Sequence, residues 1–140
     1  MIYHEHFYKL FKTSWGILIG FKGQIGRLND TEDFSKLIKI SDSIFLKLTI
    51  SEKNKFIHEN INKIINGIIW AASQLHIDEN ILIVIDEIDL NFCNFQIEGL
   101  FFGIAEWLCS YYNLKIPPYM STYNRDLNKY EFSFEKSDPL

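Results

Sequence analysis

The chain has 140 residues, 47% of them hydrophobic and 23% charged, and its formal net charge is −4. These figures indicate one globular domain large enough for a substantial core, and they exclude a disordered chain. The acidic balance argues against nucleic acid or an anionic membrane as the main partner, because both are negatively charged.

The N-terminal part of the chain predicts mostly strands. The first dozen residues fit a helix or a strand, since their apolar spacing is helical while their aromatic content suits a strand. Residues 15–21 form a short apolar run that predicts a strand, and residues 24–28 predict its hairpin partner across a turn at Lys22-Gly23. Residues 29–40 predict a short helix or an irregular loop.

The middle of the chain predicts a strand, a helix and a second strand. Residues 44–50 alternate between apolar and polar side chains, which is typical of a half-buried strand. Apolar residues then recur every three or four positions and predict a helix of about six turns over residues 51–76. Ser51 is expected to cap this helix, with Glu52 near the positive end of its dipole. Residues 81–90 begin with a continuous apolar run, which predicts a central strand covered on both faces.

The C-terminal part predicts a helix followed by a hairpin. Residues 95–113 show a second amphipathic pattern, and Asn94 is expected to cap that helix. Gly99 and Gly103 lie one turn apart and leave room for close packing. Residues 119–134 predict a hairpin.

The order of these elements predicts an α+β two-layer sandwich. A mixed sheet carries two long helices on one face, and hairpins lie at both ends. We find no linker or internal repeat, so residues 1–140 are expected to form a single domain, with residues 135–140 as a loose tail. Cys93 and Cys109 have no short-spaced partner, and the chain shows no signal peptide and no apolar run of about 18 residues. We therefore expect a cytoplasmic protein that does not interact with membranes.

Two patterns suggest a metal or phosphate site but have simpler explanations. His4 and His6 would point the same way on a strand and could share a cation, but no third ligand lies nearby in the sequence. The series Gly20, Gly23 and Gly26 lacks the spacing of a dinucleotide-binding loop, and we expect it to serve a turn or a β-bulge. The sequence therefore predicts no metal and no cofactor.

The carboxylates of the second half raise the possibility of an enzyme. The apolar strand that ends in Asp86-Glu87 looks like the magnesium-holding strand of P-loop ATPases, but no phosphate-binding loop accompanies it. Asp86, Glu87, Asp89, Glu98 and Glu106 could also supply paired carboxylates, and strand alternation would place Glu87 and Asp89 on one face and Asp86 on the other. Because no base is paired with a nucleophile, we predict that the chain is not an enzyme. A small metal-dependent hydrolase or nucleotide-binding protein using Asp86 and Glu87 is the alternative.

The charge is distributed unevenly and points to a partner. Residues 1–70 carry 10 basic and 7 acidic side chains, whereas residues 71–140 carry 4 basic and 11 acidic ones. No Lys or Arg occurs between Lys63 and Lys115. Opposite charge on a partner would steer association, and exposed tyrosines would anchor it. The residues predicted to bind the partner are Asp78, Glu79, Asp86, Glu87, Asp89, Glu98, Tyr111 and Tyr119.

This acidic series, in a small single domain rich in aromatic residues, resembles bacterial immunity proteins, including those of contact-dependent inhibition systems. The resemblance is one of size, charge and composition over the whole chain. It implies a protein that neutralises a cognate toxin, such as a basic nuclease domain, by occupying its cleft. A structural or assembly subunit, such as a homodimer formed through the C-terminal hairpin, is a further alternative.

Overall fold

The computed structural model describes all of residues 1–140. Its regular elements are seven strands, three α-helices and one short 3₁₀ helix at Phe34–Lys36. In chain order they are β1 (Ile2–Phe11), β2 (Gly16–Arg27), β3 (Ile38–Lys39), β4 (Ile44–Leu48), α1 (Lys55–Glu59), α2 (Ile61–Ala72), β5 (Ile81–Leu90), α3 (Glu98–Tyr111), β6 (Tyr119–Asn124) and β7 (Lys129–Phe134). None of the helices is long and apolar enough to cross a lipid bilayer.

Five strands form one mixed sheet in the order β1-β2-β5-β4-β3, and β6 pairs with β7 in a separate hairpin. The pairing of β4 with β5 is parallel, and all other pairings are antiparallel. Helices α1 and α2 provide the crossover that a parallel pair requires. The apolar run of β5 therefore lies at the centre of the sheet, as the sequence predicts, and the α+β class is confirmed.

The helices lie on one face of the sheet, and glycines set the distance between the layers. A Cβ atom at Gly99 would lie 2.6 Å from the side chain of Ile17, and one at Gly103 would lie 2.7 Å from Cζ of Phe21. Both positions are on α3, so this helix rests directly on β2. Gly67 of α2 is equally close to α3, which confirms that these glycines serve close packing.

The hairpin of β6 and β7 covers the outer side of the helix layer with aromatic side chains. The ring of Phe102 lies 4.3 Å from that of Tyr119 and 4.4 Å from that of Phe132, measured between centroids. Tyr130 is buried, and its hydroxyl accepts a hydrogen bond from the backbone N–H of Lys12 at 2.8 Å. The C-terminal hairpin is thus part of the core, and its position was predicted correctly.

The hairpin predicted around Lys22-Gly23 is wrong. Residues 16–27 form one uninterrupted strand, and the N-terminal hairpin joins β1 to β2 instead. A register shift in the pairing with β5 occurs between Lys22 and Gly23. These residues therefore belong to a β-bulge, the second of the two roles expected for the glycines.

The helix predicted over residues 51–76 is interrupted. Its first part, α1, begins after Asn54, whose side chain accepts from the N–H of Ile57, so Ser51 is not the cap. Asn60 separates α1 from α2, and its own side-chain amide donates to the carbonyl of Phe56. An asparagine that bonds the preceding turn in this way competes with continued helix hydrogen bonding.

Two smaller expectations also differ from the structure. Asn94 does not cap α3. Its side-chain oxygen accepts a hydrogen bond from the N–H of Gly16, and its backbone carbonyl accepts one from the N–H of Leu18, so Asn94 fixes the start of β2. Residues 135–140 contain no helix or strand, but Leu140 packs against the core.

Candidate functional site

The face of the five-stranded sheet opposite the helices, here called the open face, carries no α-helix. Strand register places its side chains in rows, one of which joins Phe7, Gly20 and Asp89 while the next joins Glu5, Lys22 and Glu87. This face is covered near β4 and the first half of β5, where Phe34 packs against Phe45 and the side chains of Leu82 and Val84 are buried. The residues of the open face are Tyr3, Glu5, Phe7, Lys9, Phe11, Leu18, Gly20, Lys22, Gln24, Phe45, Lys47, Thr49, Leu82, Val84, Asp86, Glu87 and Asp89.

Exposed aromatic residues follow the edge strand β1 along this face. Tyr3, Phe7 and Phe11 are 58%, 45% and 48% exposed, whereas Tyr8, which points to the helices, is buried. Alternation along a strand sends neighbouring residues to opposite faces, so every second position of β1 lies on the open face. Aromatic side chains at this exposure are the groups that anchor protein partners.

A β-bulge at Asp86 brings three carboxylates onto the open face. Gly23 pairs with Ile85 and Lys22 with Glu87, so Asp86 is the extra residue of β5. The sequence prediction that Asp86 lies on the opposite face from Glu87 and Asp89 is therefore wrong, because a bulge interrupts the alternation on which it depended.

The three carboxylates have different surroundings. Asp86 accepts hydrogen bonds from Oγ1 of Thr49 at 2.6 Å and from Nε2 of Gln24 at 3.3 Å. Glu87 lies 3.5 Å from Nζ of Lys22, and the attraction of this carboxylate, followed by that of Glu5, raises the pKa of the lysine. Asp89 makes no side-chain hydrogen bond or ion pair within the chain.

An open depression of about 390 Å³ surrounds Asp89. Gly20 belongs to its lining, and the ring of Phe7 lies directly over this glycine, since a Cβ there would be 2.7 Å from that ring. Phe92, on the loop after β5, is 78% exposed and is the most exposed large hydrophobic residue of the chain. The lining consists of Phe7, Leu18, Gly20, Asp89, Leu90, Asn91 and Phe92.

The other predicted acidic residues do not join this surface. Asp78 lies 2.8 Å from His76, and Glu79 lies 3.4 Å from Arg27, both in the loop that precedes β5. Glu98 is in the first turn of α3, beyond the opposite end of β5, and accepts from Nε2 of Gln96 at 2.7 Å. The acidic series is therefore divided among three places on the molecule.

The two predicted tyrosines lie on the helix side of the sheet. Tyr111 ends α3 and packs against His4 and Tyr112, at 5.7 Å and 4.8 Å between ring centroids. Tyr119 is half-buried in the aromatic cluster, where burial raises its pKa and its hydroxyl lies 3.2 Å from that of Tyr8.

A second depression, of about 440 Å³, lies beside the C-terminal end of α3 and contains His6, Glu106 and Ser110. His6 Nε2 lies 2.8 Å from Glu106 Oε1, and His4 Nε2 lies 2.7 Å from Ser110 Oγ. The hydroxyl of Ser110 donates to the carbonyl of Trp107 at 2.9 Å. His4 and His6 share a face as expected, but no group of three potential ligands is arranged to hold a metal ion.

Comparison with protein-family models, with curated proteins and with solved structures found no match. Function is therefore inferred from the chemistry of the open face.

Sequence reasoning missed the aromatic residues of β1 and the exposed Phe92. A signal for the first was present, because Tyr3, Phe7 and Phe11 all occupy odd positions of a ten-residue strand. It was hidden because Tyr8, on the buried face, is aromatic as well. No local pattern marks Phe92, which follows a strand whose apolar residues are all buried except the half-buried Leu90.

Proposed function

We propose that the chain is a non-enzymatic inhibitor, an immunity protein that binds and neutralises a basic bacterial toxin domain through the open face. The observation that carries the proposal is the joint presence of exposed aromatic residues and carboxylates on one face of the sheet. Exposed apolar patches rimmed by charge are typical of protein-binding surfaces. In this proposal the protein acts in the cytoplasm, where the toxin acts.

The charges of the open face favour a basic partner over a second copy of the chain. The open face carries four carboxylates, those of Glu5, Asp86, Glu87 and Asp89, against three lysines, Lys9, Lys22 and Lys47. Only Lys22 lies in the central rows beside the carboxylates. Two copies docked face to face would bring these carboxylates together, and like charges in an interface cost several kcal/mol, on the order of a hundredfold in affinity or more. A nuclease cleft, which binds phosphate, carries the complementary charge.

The aromatic residues of β1 supply the apolar part of the interface. Tyr3, Phe7 and Phe11 alternate along the strand with Glu5 and Lys9, so each ring is flanked by a charged side chain. Rings of this kind bury a large area at low cost in conformational entropy, and charged neighbours form the rim. The open face thus offers anchors and a polar surround on a rigid sheet.

The proposal is tested with the C-terminal domain encoded by the gene upstream of the one for this chain. We expect that domain to inhibit bacterial growth, co-expression of the chain to restore growth, and calorimetry to show a direct complex. Absence of growth inhibition, of rescue or of binding would refute the proposed function. Sedimentation showing a stable homodimer that buries the open face would favour an assembly subunit instead.

The position of the surface is tested with a charge reversal and a matched control. Asp89→Lys reverses an exposed carboxylate of the open face, and Asp126→Lys makes the same change in net charge on the exposed β6–β7 turn. We expect at least about a tenfold loss of affinity for Asp89→Lys alone. Equal losses for the two variants would show that the toxin binds elsewhere. Asp86 is left unchanged because it holds Thr49 and Gln24.

A further inference from the structure

We propose that the depression around Asp89 is an arginine-binding pocket, which receives one guanidinium group from the partner. The proposal rests on the proposed function and names the side chain that the partner contributes. Three features carry it: a free carboxylate, two exposed phenyl rings and a position on the open face.

The carboxylate of Asp89 is available to a ligand. Its neighbours Asp86 and Glu87 are engaged by Thr49 and Lys22 respectively, whereas Asp89 has no partner of its own in the chain. Gly20 pairs opposite Asp89 in the sheet, so no side chain stands between the carboxylate and Phe7. An acceptor with two free oxygens therefore lies beside an aromatic ring.

The rings of Phe7 and Phe92 make the pocket selective for a flat cation. A guanidinium group stacks on aromatic faces and presents paired N–H donors that match the two oxygens of a carboxylate. Leu18 offers an apolar surface for the methylene stem of the same side chain. An ammonium group is more strongly hydrated and gains less from stacking, so a lysine would bind more weakly.

The pocket also explains why the side chains of two large apolar residues, Phe7 and Phe92, are exposed to water. Phe92 is 78% exposed. The turn that carries it is fixed by two hydrogen bonds, in which the N–H of Cys93 donates to Oδ1 of Asn91 and the N–H of Asn94 donates to the carbonyl of Asn91. These bonds fix the backbone that carries the exposed ring. A fixed backbone lowers the entropy cost of ordering this ring against a ligand.

In the test, three small probes are titrated into the intact protein, and amide NMR monitors their binding. N-acetyl-arginine amide is titrated first, then the corresponding lysine compound and the neutral citrulline compound. We expect saturable shifts at Gly20, Asp89 and Asn91 with arginine, with a dissociation constant on the order of 10 mM. Lysine should bind several-fold more weakly, and citrulline should give no saturable shift.

Two variants decide whether the carboxylate and the ring act as proposed. Asp89→Asn should abolish saturation, and Phe92→Ser should weaken arginine binding at least threefold without any change in net charge. Asp126→Asn is the matched control and should bind like the unchanged protein. Both test positions are exposed, so folding is expected to survive.

The outcomes separate this proposal from the proposed function. Shifts that spread over all acidic residues without saturating, equal binding of lysine and arginine, or unchanged binding by Asp89→Asn would each overturn the arginine pocket. Any of these results would leave toxin neutralisation through the open face standing. Conversely, localised arginine binding with no complex to the toxin domain would refute the proposed function alone.

Discussion

Replacing Gly103 with alanine tests how tightly α3 is seated on the sheet. Gly103 lies in the middle of α3, and the ring of Phe21 occupies the space that a side chain would need. The added Cβ would lie 2.7 Å from Cζ of Phe21, closer still to Cε2, and 3.3 Å from Cβ of Tyr8. Both aromatic residues are buried, so neither ring has solvent into which it can move.

Two opposing effects set the change in the free energy of unfolding caused by Gly103→Ala. Alanine favours a helix over glycine by about 1 kcal/mol. Overpacking a well-filled core costs about 1–3 kcal/mol, and here the obstacle is an aromatic ring between two layers. We therefore expect Gly103→Ala to lower the free energy of unfolding by about 1–2 kcal/mol, although the same substitution would stabilise an isolated helix.

Urea unfolding of a double-mutant cycle measures this effect. Phe21→Leu removes the ring atoms that obstruct Gly103, so in that background Gly103→Ala should be neutral or stabilising by up to about 1 kcal/mol. Asn62→Ala, at an exposed position of α2, is the control for helix propensity and should not destabilise. If Gly103→Ala is equally destabilising with and without Phe21→Leu, the contact with Phe21 is not what requires the glycine.

Three further predictions concern single residues. Asp86→Ala should lower the free energy of unfolding by about 1–2 kcal/mol in urea, because its hydroxyl and amide partners lose their acceptor, whereas Asp89→Ala should change it by less than about 0.5 kcal/mol. Burial lowers the pKa of His4 below 6.5. The neutral imidazole therefore contributes to the free energy of unfolding above pH 6.5, and this contribution is lost as the pH falls through the folded-state pKa. His4→Gln should therefore lose less stability between pH 7.5 and 5.5, and NMR titration showing a His4 pKa above 6.5 would contradict this. Cys93, which is exposed, should react rapidly with a thiol reagent, whereas Cys109, buried and with its pKa raised to about 11, should react only on unfolding.

The regular elements of the second half were predictable because their patterns are strong and local. The apolar run of β5, the helical spacing of α3 and the alternation around the C-terminal hairpin each fix one type of element. The break at Asn60 was not predictable from apolar spacing, because the periodicity continues across it while a side-chain hydrogen bond to Phe56 interrupts the helix.

The remaining errors arose from glycines and from strand pairing. Gly23 was interpreted as a turn, yet glycine also occurs where strands approach closely or bulge, and only the partner strand distinguishes these cases. The bulge that places Asp86 beside Glu87 is a property of the β2–β5 register, which the sequence of β5 alone does not contain. The structure therefore places Asp89 on the open face and Glu98 away from it, in the first turn of α3, and the binding role of both residues stays a prediction.

The bonds between β1 and the C-terminal hairpin have a consequence for folding kinetics. The hydrogen-bonded residues Tyr8 and Tyr119 are 111 positions apart in the sequence, and Lys12 and Tyr130 are 118 positions apart. Closing loops of this length costs chain entropy before any contact compensates for it, and folds dominated by such distant pairings form in milliseconds to seconds rather than microseconds. In any state in which the hairpin is undocked, the aromatic side of the helix layer lies in water, and exposed apolar surface of this kind promotes aggregation.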